Sequence, residues 1–429
     1  MKRALVVTPN WPPLSHPDLH RVRMALPYFA EFGWEPLILK VDPDEQEGIR
    51  DPMLCVTVPD RTRTWQAAAI PRAWTAWFGL NSVGIRCLVS MARLGSRIIR
   101  EEKPDMVFIS TTLFPAMLLG RYWKFRHGIP YALDFQDPWR QERGQVARVP
   151  KTGLKRRLAM LMAALLEPIA LRGVSHIVSV SPQYPVALAN RYPWLQPAHF
   201  SVLPFGAAEG DFAMLSKLGV RQKIFTPRDG RQHWVYVGRG GADMALAARG
   251  FFKALSVARA AWPERYDNVT VHFIGTDYAP AERSRKTIEP LAIECGVGDL
   301  VEEIATRIPY FEALSCLKDA DALIVLGSED GGYSASKIYP YILAAKPMLA
   351  IFHEDSSIVD LVRITNSGTA VSFKEAHGSE ALAAKIGTQW FGPDGAPSVQ
   401  TNWDAFEPYT ARKMTGRLCS VFDAMFAGG

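Results

Sequence analysis

The sequence WVYVGRGGAD at positions 234–243 decides how this chain folds. Its first four residues suit a buried strand, the glycines suit a tight turn, and residues 245–261 have the pattern of a helix. Glycines in such a turn let backbone N–H groups approach an anion, and the following helix N-terminus carries partial positive charge. Arg239 adds a guanidinium that can contact a phosphate through two hydrogen bonds. The stretch therefore predicts a strand, a turn and a helix that together bind an anion, with an ordinary surface turn as the alternative.

The same stretch argues against a nicotinamide or flavin dehydrogenase. Ala242, Asp243 and Met244 follow Gly241, so the pattern GxGxxG is not completed. The first apolar run of the chain, at residues 3–8, is followed by Pro9 and also lacks the pattern. A different anionic ligand is expected in its place.

A second glycine-containing segment, GSEDGGYSASKIYPY at positions 327–341, follows the apolar run at 322–326. Its two adjacent glycines permit a tight turn, and Ser334 and Ser336 can cap the next helix. Lys337 lies in the first turn of that helix, where the helix dipole disfavours a cation unless an anion occupies the same place. We expect Arg239 and Lys337 to hold one diphosphate, and a capped surface helix with a solvated lysine is the alternative.

Short apolar runs alternate with helical segments along the whole chain, which is typical of parallel sheets built from βαβ units. The strand candidates are residues 3–8, 35–41, 55–58, 106–110, 131–135, 177–180 and 201–203, then 234–238, 269–274, 300–304, 322–326, 348–352 and 369–373. The polar stretch 221–231 separates the two series. This α/β pattern predicts two doubly wound domains, residues 1–220 and 221–401, followed by a last helix in 402–429. Because ligands bind beyond the carboxyl ends of parallel strands, we expect the site in a cleft between the domains.

The composition is that of a globular protein. Of 429 residues, 48% are hydrophobic and 21% charged, which excludes a disordered chain or a collagen-like protein. The five cysteines are odd in number, far apart and without a CxxC pair, so a structural zinc site is not expected. No run approaches the roughly 18 to 20 apolar residues of a membrane-spanning helix. The expectation is a cytoplasmic protein that lies, at most, on a membrane surface.

Positive charge is concentrated in the first half of the chain. Residues 1–220 hold 27 Lys and Arg against 18 Asp and Glu, and residues 61–157 hold 18 against 6. Trp65, Trp74 and Trp77 lie in this window, and the cluster 151–157 opens an apolar helix. Basic residues beside Trp and Leu favour an anionic membrane surface, where each cation contributes about 1 kcal/mol. The alternatives are a solvated basic face and nucleic-acid binding, and no nucleic-acid module accompanies the charge.

Seven motifs occur in a recognisable order. They are PP at 12–13 with Arg21, ISTT at 109–112, GIPYALDFQDPW at 128–139, VSVS at 178–181, LPFG at 203–206, VGR at 237–239 and SKIYPYILAAKP at 336–347. In this order, the chain resembles the GT-B-fold glycosyltransferases, specifically the retaining enzymes of glycosyltransferase family 4. The resemblance covers nearly the whole chain. It implies two Rossmann-like domains facing a central cleft, with the C-terminal helix crossing back to the first domain.

The resemblance also implies the ligands and the residues that hold them. A nucleotide-diphosphate sugar would be bound by the second domain, through Gly238, Arg239, Gly240, Glu329, Asp330, Tyr333, Ser334, Ser336 and Lys337. The acceptor would be bound by the first, through Arg21, Thr111 and Thr112. Members of the family generally need no metal, because cationic side chains and helix termini neutralise the leaving diphosphate. Hence neither a metal nor another cofactor is expected.

Two further residues are candidates for catalysis. His16, on the loop after the first strand, can hydrogen-bond the transferring sugar or the acceptor, and Asp137, after a buried strand, can orient or deprotonate an acceptor hydroxyl. The alternatives are an unremarkable loop histidine and, for Asp137, a local cap or a salt bridge with Arg140. No nucleophile is evident, so a same-face displacement is expected, in which the departing phosphate helps to deprotonate the acceptor.

The chain departs from the family pattern in three ways. Met244 and Ala245 stand where a lysine is usual, Gly332 and Pro340 stand where the paired glutamates are usual, and the first-loop Gly-Gly is replaced around His16. The main hypothesis is a bacterial, hexosyltransferase-type enzyme of cell-envelope polysaccharide biosynthesis, peripheral on the inner face of the membrane, with a lipid-linked or polysaccharide acceptor. The alternatives are a nucleotide-sugar 2-epimerase of the same fold and an inactive binding protein.

Overall fold

The structure is a computed structural model that describes residues 1–46, 48–75, 82–140, 154–279, 281–333, 335–374, 376 and 378–426. Two compact units make up the chain: residues 1–206 together with 409–429 (unit 1), and residues 207–408 (unit 2). Of the residues singled out above, Trp77, Ser334 and the start of the 151–157 cluster lie outside the described part. The division lies nearer the N-terminus than the sequence-based boundary at 220.

Unit 1 is built on a seven-stranded sheet in which every pair of neighbouring strands is parallel. Its strands are β1 (Lys2–Val7), β2 (Trp34–Val41), β3 (Arg63–Ala67), β4 (Met106–Ser110), β5 (Tyr131–Phe135), β6 (His176–Ser179) and β7 (Phe200–Val202). Their order is β3-β2-β1-β4-β5-β6-β7. The central strands are buried along their lengths, which explains their continuous apolar runs.

Helices cover both faces of this sheet. They are α1 (His20–Ala25), α2 (Arg72–Thr75), α3 (Val83–Arg86), α4 (Leu88–Glu102), α5 (Leu118–His127), α6 (Leu154–Leu171) and α7 (Gln183–Arg191). On one face Met91 and Ile98 of α4, Trp123 of α5 and Ala170 of α6 share one core, so these helices form a single layer. Helix α1 ends at Ala25, because Pro27 interrupts it, and a 3-10 turn follows at Phe29–Phe32.

Unit 2 repeats this architecture with a six-stranded parallel sheet. Its strands are β8 (Gln232–Val237), β9 (Val269–Ile274), β10 (Val301–Ile304), β11 (Ala322–Leu326), β12 (Met348–His353) and β13 (Thr369–Phe373). The helices are α8 (Glu209–Leu218), α9 (Ala245–Ala261), α10 (Pro263–Tyr266), α11 (Glu289–Glu294), α12 (Tyr310–Asp319), α13 (Ile338–Leu343), α14 (Ser357–Ile364), α15 (Gly378–Trp390) and α16 (Trp403–Phe406). The strand order β10-β9-β8-β11-β12-β13 matches the first six strands of unit 1.

The last helix, α17 (Ala411–Ala424), belongs to unit 1. Thr410 caps it by accepting a hydrogen bond from the amide of Lys413 at 3.3 Å. Phe422 packs its ring 5.3 Å from Trp34 and 5.1 Å from Phe108, on the sheet face opposite α4, α5 and α6. This confirms that the C-terminal helix returns to the first domain.

The strand predicted at 55–58 is wrong. Residues Pro52–Thr57 form a 3-10 helix, because Pro52 suits its first position and the Asp51 carboxylate accepts a hydrogen bond from the amide of Met53 at 3.1 Å. The third strand of the sheet is instead β3, whose sequence RTWQA carries polar side chains because it lies at the sheet edge. The other twelve strand candidates overlap observed strands.

Both sheets have one place where the strand order reverses direction. In unit 1 it lies between β1 and β4, and in unit 2 between β8 and β11. Loops that leave the carboxyl ends of two such strands run to opposite faces of the sheet and open a crevice between them. These switch points are therefore where the side chains of a site are expected to converge.

Candidate functional site

The switch point of unit 2 holds a paired arginine. Arg239, two residues after β8, donates from its two terminal nitrogens to the Asp243 carboxylate at 2.9 and 2.7 Å. The side chains of both residues are about 15% exposed or less, and Ser328, after β11, donates to Asp243 at 2.7 Å. Burial alone would raise the pKa of Asp243, but the hydrogen bonds from Arg239 and Ser328 and the charge of Arg239 together lower it and hold the carboxyl ionised. This bidentate pair fixes the guanidinium in the crevice.

Lys337 brings a second cation to the same place. It occupies the N-cap position of α13, one residue before the helix, rather than its first turn. Its ammonium donates to the hydroxyl of Tyr236 and lies 4.2 Å above the centroid of that ring. Tyr236 in turn donates to the backbone oxygen of Arg239 at 2.6 Å. The loop after β8 and the start of α13 are thus tied together through one phenol.

Two glycines make this arrangement possible. A Cβ at Gly238 would lie 2.7 Å from the ammonium nitrogen of Lys337, so any other residue would displace the cation. Gly241 has φ +139°, and a Cβ there would lie 2.8 Å from the Asp243 carboxylate. The glycines at 238 and 241 therefore leave room for the charged side chains of Lys337 and Asp243 to lie close to the backbone of this loop.

The two cations affect each other's protonation. Burial lowers the pKa of Lys337 well below its ordinary value, and the charge of Arg239 lowers it further, while Asp243 opposes the shift. An additional anion in the crevice would reverse this shift. The crevice therefore carries positive charge that Asp243 balances in part, an arrangement suited to an anionic ligand.

The other residues that were expected to bind the donor differ in their exposure and in their contacts. Tyr333 lies over Arg239, with its ring centroid 4.8 Å from the guanidinium carbon. Glu329 is partly buried, and Asp330 is exposed and accepts a hydrogen bond from the amide of Gly332 at 2.9 Å. Ser336 is exposed and does not cap α13 with its side chain. Gly240 packs against Thr287, which a Cβ would approach to 2.5 Å.

The switch point of unit 1 is organised around a buried carboxylate. Asp18, in the 3-10 turn Pro17–Leu19, is 1% exposed. Its oxygens accept hydrogen bonds from Asn10 at 2.9 Å, from the Thr111 hydroxyl at 3.1 Å and from the Thr112 amide at 3.0 Å. His16 lies 2.7 Å from the same carboxylate through Nδ1, and its side chain is 45% exposed. The predicted residues His16, Thr111 and Thr112 are thus brought together by Asp18.

Arg21, which was expected on the acceptor side, is held by contacts within unit 1. Its guanidinium donates to the buried carboxylate of Asp134 at 2.9 Å and to the backbone oxygens of Leu203 and Pro204 at 2.6 and 3.2 Å. Arg21 is 7% exposed and Asp134 is fully buried. These contacts join α1, β5 and the segment after β7. They make Arg21 a structural tie within unit 1 and leave it little capacity to contact an acceptor.

Asp137 lies two residues beyond the end of β5 and is partly buried. It takes part in polar interactions of its own, so its carboxylate is not free. Of its neighbours, Trp139 stacks on Phe114 at 5.4 Å, and Arg140 donates to Tyr192 at 3.3 Å. Its catalytic role stays a prediction.

Sequence reasoning missed three residues of these sites: Asp18, Asp243 and Tyr236. Asp243 stands four residues after Arg239, the spacing at which a carboxylate meets an arginine across one helical turn, and this signal was available. Tyr236, in β8, stands two residues before Gly238, and positions two residues apart in extended backbone share one face. Asp18 meets Thr111 and Thr112 across 93 residues of sequence or more, and no local pattern predicts that contact.

The described residues offer neither a candidate metal site nor a candidate membrane-spanning helix. In that part of the chain, no group of three or more His, Cys, Asp or Glu side chains could hold a metal ion. No described helix has both the length and the apolar character needed to cross a bilayer.

Comparisons with known proteins identify the fold. Residues 20–206 match the model of the glycosyl transferase 4-like domain. No curated protein sequence matches the chain significantly. The solved structure of HepE from Anabaena, in complex with UDP and glucose, is 14% identical over 99% of this chain and 100% of its own, with a TM-score of 0.61. Sucrose-phosphate synthase from Thermosynechococcus elongatus is 15% identical over the full length of both chains, with a TM-score of 0.60.

A third structure, a putative UDP-N-acetylglucosamine 2-epimerase from Listeria monocytogenes, is 12% identical over 100% of this chain and 98% of its own, with a TM-score of 0.53. At such identities the likeness establishes the fold alone. The GT-B-type α/β fold is confirmed, and residues 20–206, somewhat less than half of the chain, match a glycosyl transferase 4-like domain.

Proposed function

We propose that this chain, whose residues 20–206 match a glycosyl transferase 4-like domain, transfers a sugar from a nucleotide-diphosphate sugar to a hydroxyl acceptor. The observation that supports this most directly is the presence of two cations, Arg239 and Lys337, at the switch point of unit 2, where Asp243 balances part of their charge. A diphosphate complements two neighbouring cations. The same cations neutralise the charge that develops on the diphosphate as the glycosyl group leaves.

The proposed donor site assigns a role to each residue. Arg239 and Lys337 hold the diphosphate, and the backbone at Gly238 and Gly240 lets it approach closely. Tyr333 covers the arginine, and Ser336, just before α13, contributes a polar group. Ser334, which lies outside the described residues, stays a candidate from the sequence. Glu329 and Asp330 are proposed to contact the transferred sugar. Because the two cations neutralise the leaving group, the reaction is proposed to need no metal.

On the acceptor side, unit 1 is proposed to bind the hydroxyl substrate near His16, Thr111 and Thr112, with Asp137 as a second candidate. Retention of the anomeric configuration is proposed because the enzymes that the chain resembles are retaining. A lipid-linked or polysaccharide acceptor of a bacterial cell envelope is proposed on two grounds: the resemblance, and the surface described next.

One layer of unit 1 presents apolar and basic side chains outward. On α6, Leu158, Leu161, Leu165 and Ile169 recur at intervals of three and four residues and are each 50% to 58% exposed. Burying four such side chains would stabilise an association by several kcal/mol, at about 25 cal/mol per Å². On the same sheet face, α4 exposes Arg93, Arg97 and Arg100, and Phe125 of α5 is 85% exposed.

This α4–α5–α6 surface fits an anionic membrane, since it combines an apolar stripe with cations. We propose that the protein binds there peripherally, on the cytoplasmic side. Vesicles containing anionic lipid should bind the protein, and replacing Leu161 and Leu165 by Ser should weaken that binding at least tenfold. Val257, which is 70% exposed on unit 2, gives a matched control. Equal binding to neutral and anionic vesicles at every salt concentration would contradict the proposal.

A screen of nucleoside diphosphates and their sugars tests the donor assignment. A ligand that binds the folded state alone raises the melting temperature, so the correct diphosphate should give a shift that its nucleoside does not. Transfer assays then follow with the donor that binds. Turnover that isomerises the donor without an acceptor would identify a 2-epimerase. Binding with neither transfer, isomerisation nor hydrolysis would identify an inactive binding protein.

A further inference from the structure

A pocket in unit 1 opens beyond the carboxyl end of β5, between α6 and α7. It lies on the sheet face that α4, α5 and α6 cover, and its apolar wall includes Phe135 and Leu188 from the core of that face. Trp139 and Tyr184 add two aromatic side chains, both partly buried. These four side chains give the pocket a wall that can pack against the C–H groups of a ligand.

A buried carboxylate fixes the polar groups of this pocket. Glu167, on the inward side of α6, is fully buried and accepts hydrogen bonds from a guanidinium nitrogen of Arg191 and from the Tyr192 hydroxyl, both at 2.7 Å. It also accepts one from the backbone amide of Arg140 at 3.2 Å, and the Arg140 guanidinium donates to the Tyr192 hydroxyl at 3.3 Å. Gln183 adds an exposed amide at the start of α7. The polar side of the pocket is therefore held in place by contacts within unit 1.

One short loop joins this pocket to the switch point of unit 1. Thr112 donates its amide to Asp18 there at 3.0 Å. Phe114, two residues further along the chain, stacks on Trp139 with ring centroids 5.4 Å apart. Asp137, the acceptor-side candidate, likewise stands two residues before Trp139. Because two residues span at most about 7 Å of extended chain, the pocket lies within about one sugar ring of the groups proposed to bind the reacting hydroxyl.

We propose that this pocket is a subsite for a second sugar ring of the acceptor, a ring that does not itself react. The inference rests on the proposed transferase function and deepens it, because it makes the acceptor a saccharide of two or more rings. A pyranose presents C–H groups on its faces and hydroxyl groups around its edge. Trp139 and Tyr184 supply aromatic surface for the faces, and Arg140 and Gln183 supply N–H donors for the hydroxyls.

The composition of the pocket favours a sugar ring over a phosphate group. Arg191 is already paired with Glu167 at 2.7 Å, so its charge is balanced within the pocket. A phosphate against Trp139 and Tyr184 would lose water without regaining the lost hydrogen bonds, which costs free energy. A sugar ring exchanges apolar contact on its faces for the same loss of water, so the aromatic wall stabilises it.

Binding measurements on saccharides of increasing length test the subsite without requiring turnover. The probes are methyl glycosides of common hexoses and the corresponding di- and trisaccharides, titrated against the protein by NMR. Affinity should rise from one ring to three in at least one series, because only the longer members reach the pocket. Trp139→Ala should abolish this rise, a loss of about tenfold or more, and Trp139→Phe should restore most of it. Gln183→Ala should weaken the longer members too, and its exposed position excludes a folding defect.

Trp65→Ala is the matched control. Trp65 is also a partly buried tryptophan of unit 1, but it lies in the edge strand β3 beside Arg63. This variant should bind every saccharide as the wild type does. An affinity that does not rise with length in any series, or a rise that Trp139→Ala leaves intact, would overturn the proposal. Displacement of the longer saccharides by inorganic phosphate, lost in Arg140→Gln, would also overturn it, because the pocket would then hold an anion.

The subsite and the proposed function fail in different ways. In transfer assays, Trp139→Ala should raise the KM for acceptors of two or more rings, while the KM for a single ring and the donor affinity stay at their wild-type values. Transfer in which Trp139→Ala changes no KM would overturn the subsite and leave the transferase function standing. Saccharide binding that depends on Trp139, in a protein that transfers no sugar from any bound donor, would support the pocket and refute the transferase function.

Discussion

The two switch points occupy the same place in two sheets of the same strand order, and they are organised around opposite charges. In unit 1, donors from two loops converge on the carboxylate of Asp18. In unit 2, Arg239 and Lys337 converge, and Asp243 provides the counter-charge. The βαβ architecture therefore determines where the loops meet, while the residues of the loops determine the charge of the groups that can bind there. Four predictions test whether this division of roles is real.

The largest effect is expected from the buried pair that supports the unit 1 site. Arg21→Ala leaves the Asp134 carboxylate buried without its cation, and such losses typically cost 3–5 kcal/mol of unfolding free energy. Chemical denaturation would measure it. Arg3→Ala is the control, because Arg3 pairs with Glu35 at the surface and should cost about 1 kcal/mol or less. If the two variants were equally stable, Arg21 would be available for a ligand and the contrast between the units would weaken.

Acid should destabilise both units, through one buried histidine in each. Burial lowers the pKa of His272 in unit 2 to about 4, with the charge of His233 adding to the shift and Glu302 opposing it. Burial, with a contribution from His199, lowers the pKa of His176 in unit 1 to about 4. Both folded-state values lie below the ordinary 6.5, so stability is complete above pH 6.5 and falls as the unfolded chain takes up protons between pH 6.5 and 4.

The expected loss is about 3 kcal/mol for each histidine, since one pKa unit corresponds to about 1.4 kcal/mol. Unfolding free energies measured from pH 7.5 to 4 should therefore fall in the wild type, and His272→Gln and His176→Gln should each flatten the curve. An unchanged slope in one variant would show that its unit does not share the acid sensitivity.

Removing Arg239, one of the two cations of the unit 2 site, should weaken the binding of a diphosphate. Arg239→Ala is expected to weaken nucleoside-diphosphate affinity by about 1.5–3 kcal/mol, the range for a hydrogen bond to a charged group. Calorimetry would measure it. Arg259→Ala is a matched control, because Arg259 pairs with Asp267 and Asp299. Retained affinity for the diphosphate, together with lost affinity for the nucleoside, would place the phosphates elsewhere.

The smallest effect is a proton linked to binding at Lys337. Burial and Arg239 lower the pKa of this lysine in the free protein, so a bound diphosphate should raise it and the complex should take up a proton. Affinity should then fall with rising pH, by at most about 1.4 kcal/mol per pH unit for one proton. Calorimetry in buffers of different ionisation enthalpy would detect the uptake, and Lys337→Met should abolish it. Proton release by the wild type would contradict the arrangement.

The fold was largely predictable because parallel strands that are buried on both faces appear in the sequence as continuous apolar runs. The strand β3 was missed since an edge strand with the sequence RTWQA has no such run. The unit 2 cations were predictable because glycines and charged residues follow strands in short local motifs.

The βαβ series, the order of the motifs and the charged residues after β8 and β11 are visible in the amino-acid pattern, since these properties are local. Which charges pair depends on how distant segments pack. Arg21 meets Asp134 across 113 residues, and Asp18 accepts hydrogen bonds from a loop more than 90 residues away. The physical reason is that a buried charge is stable only beside a partner, and the packing of the sheet, not the spacing along the chain, brings that partner close.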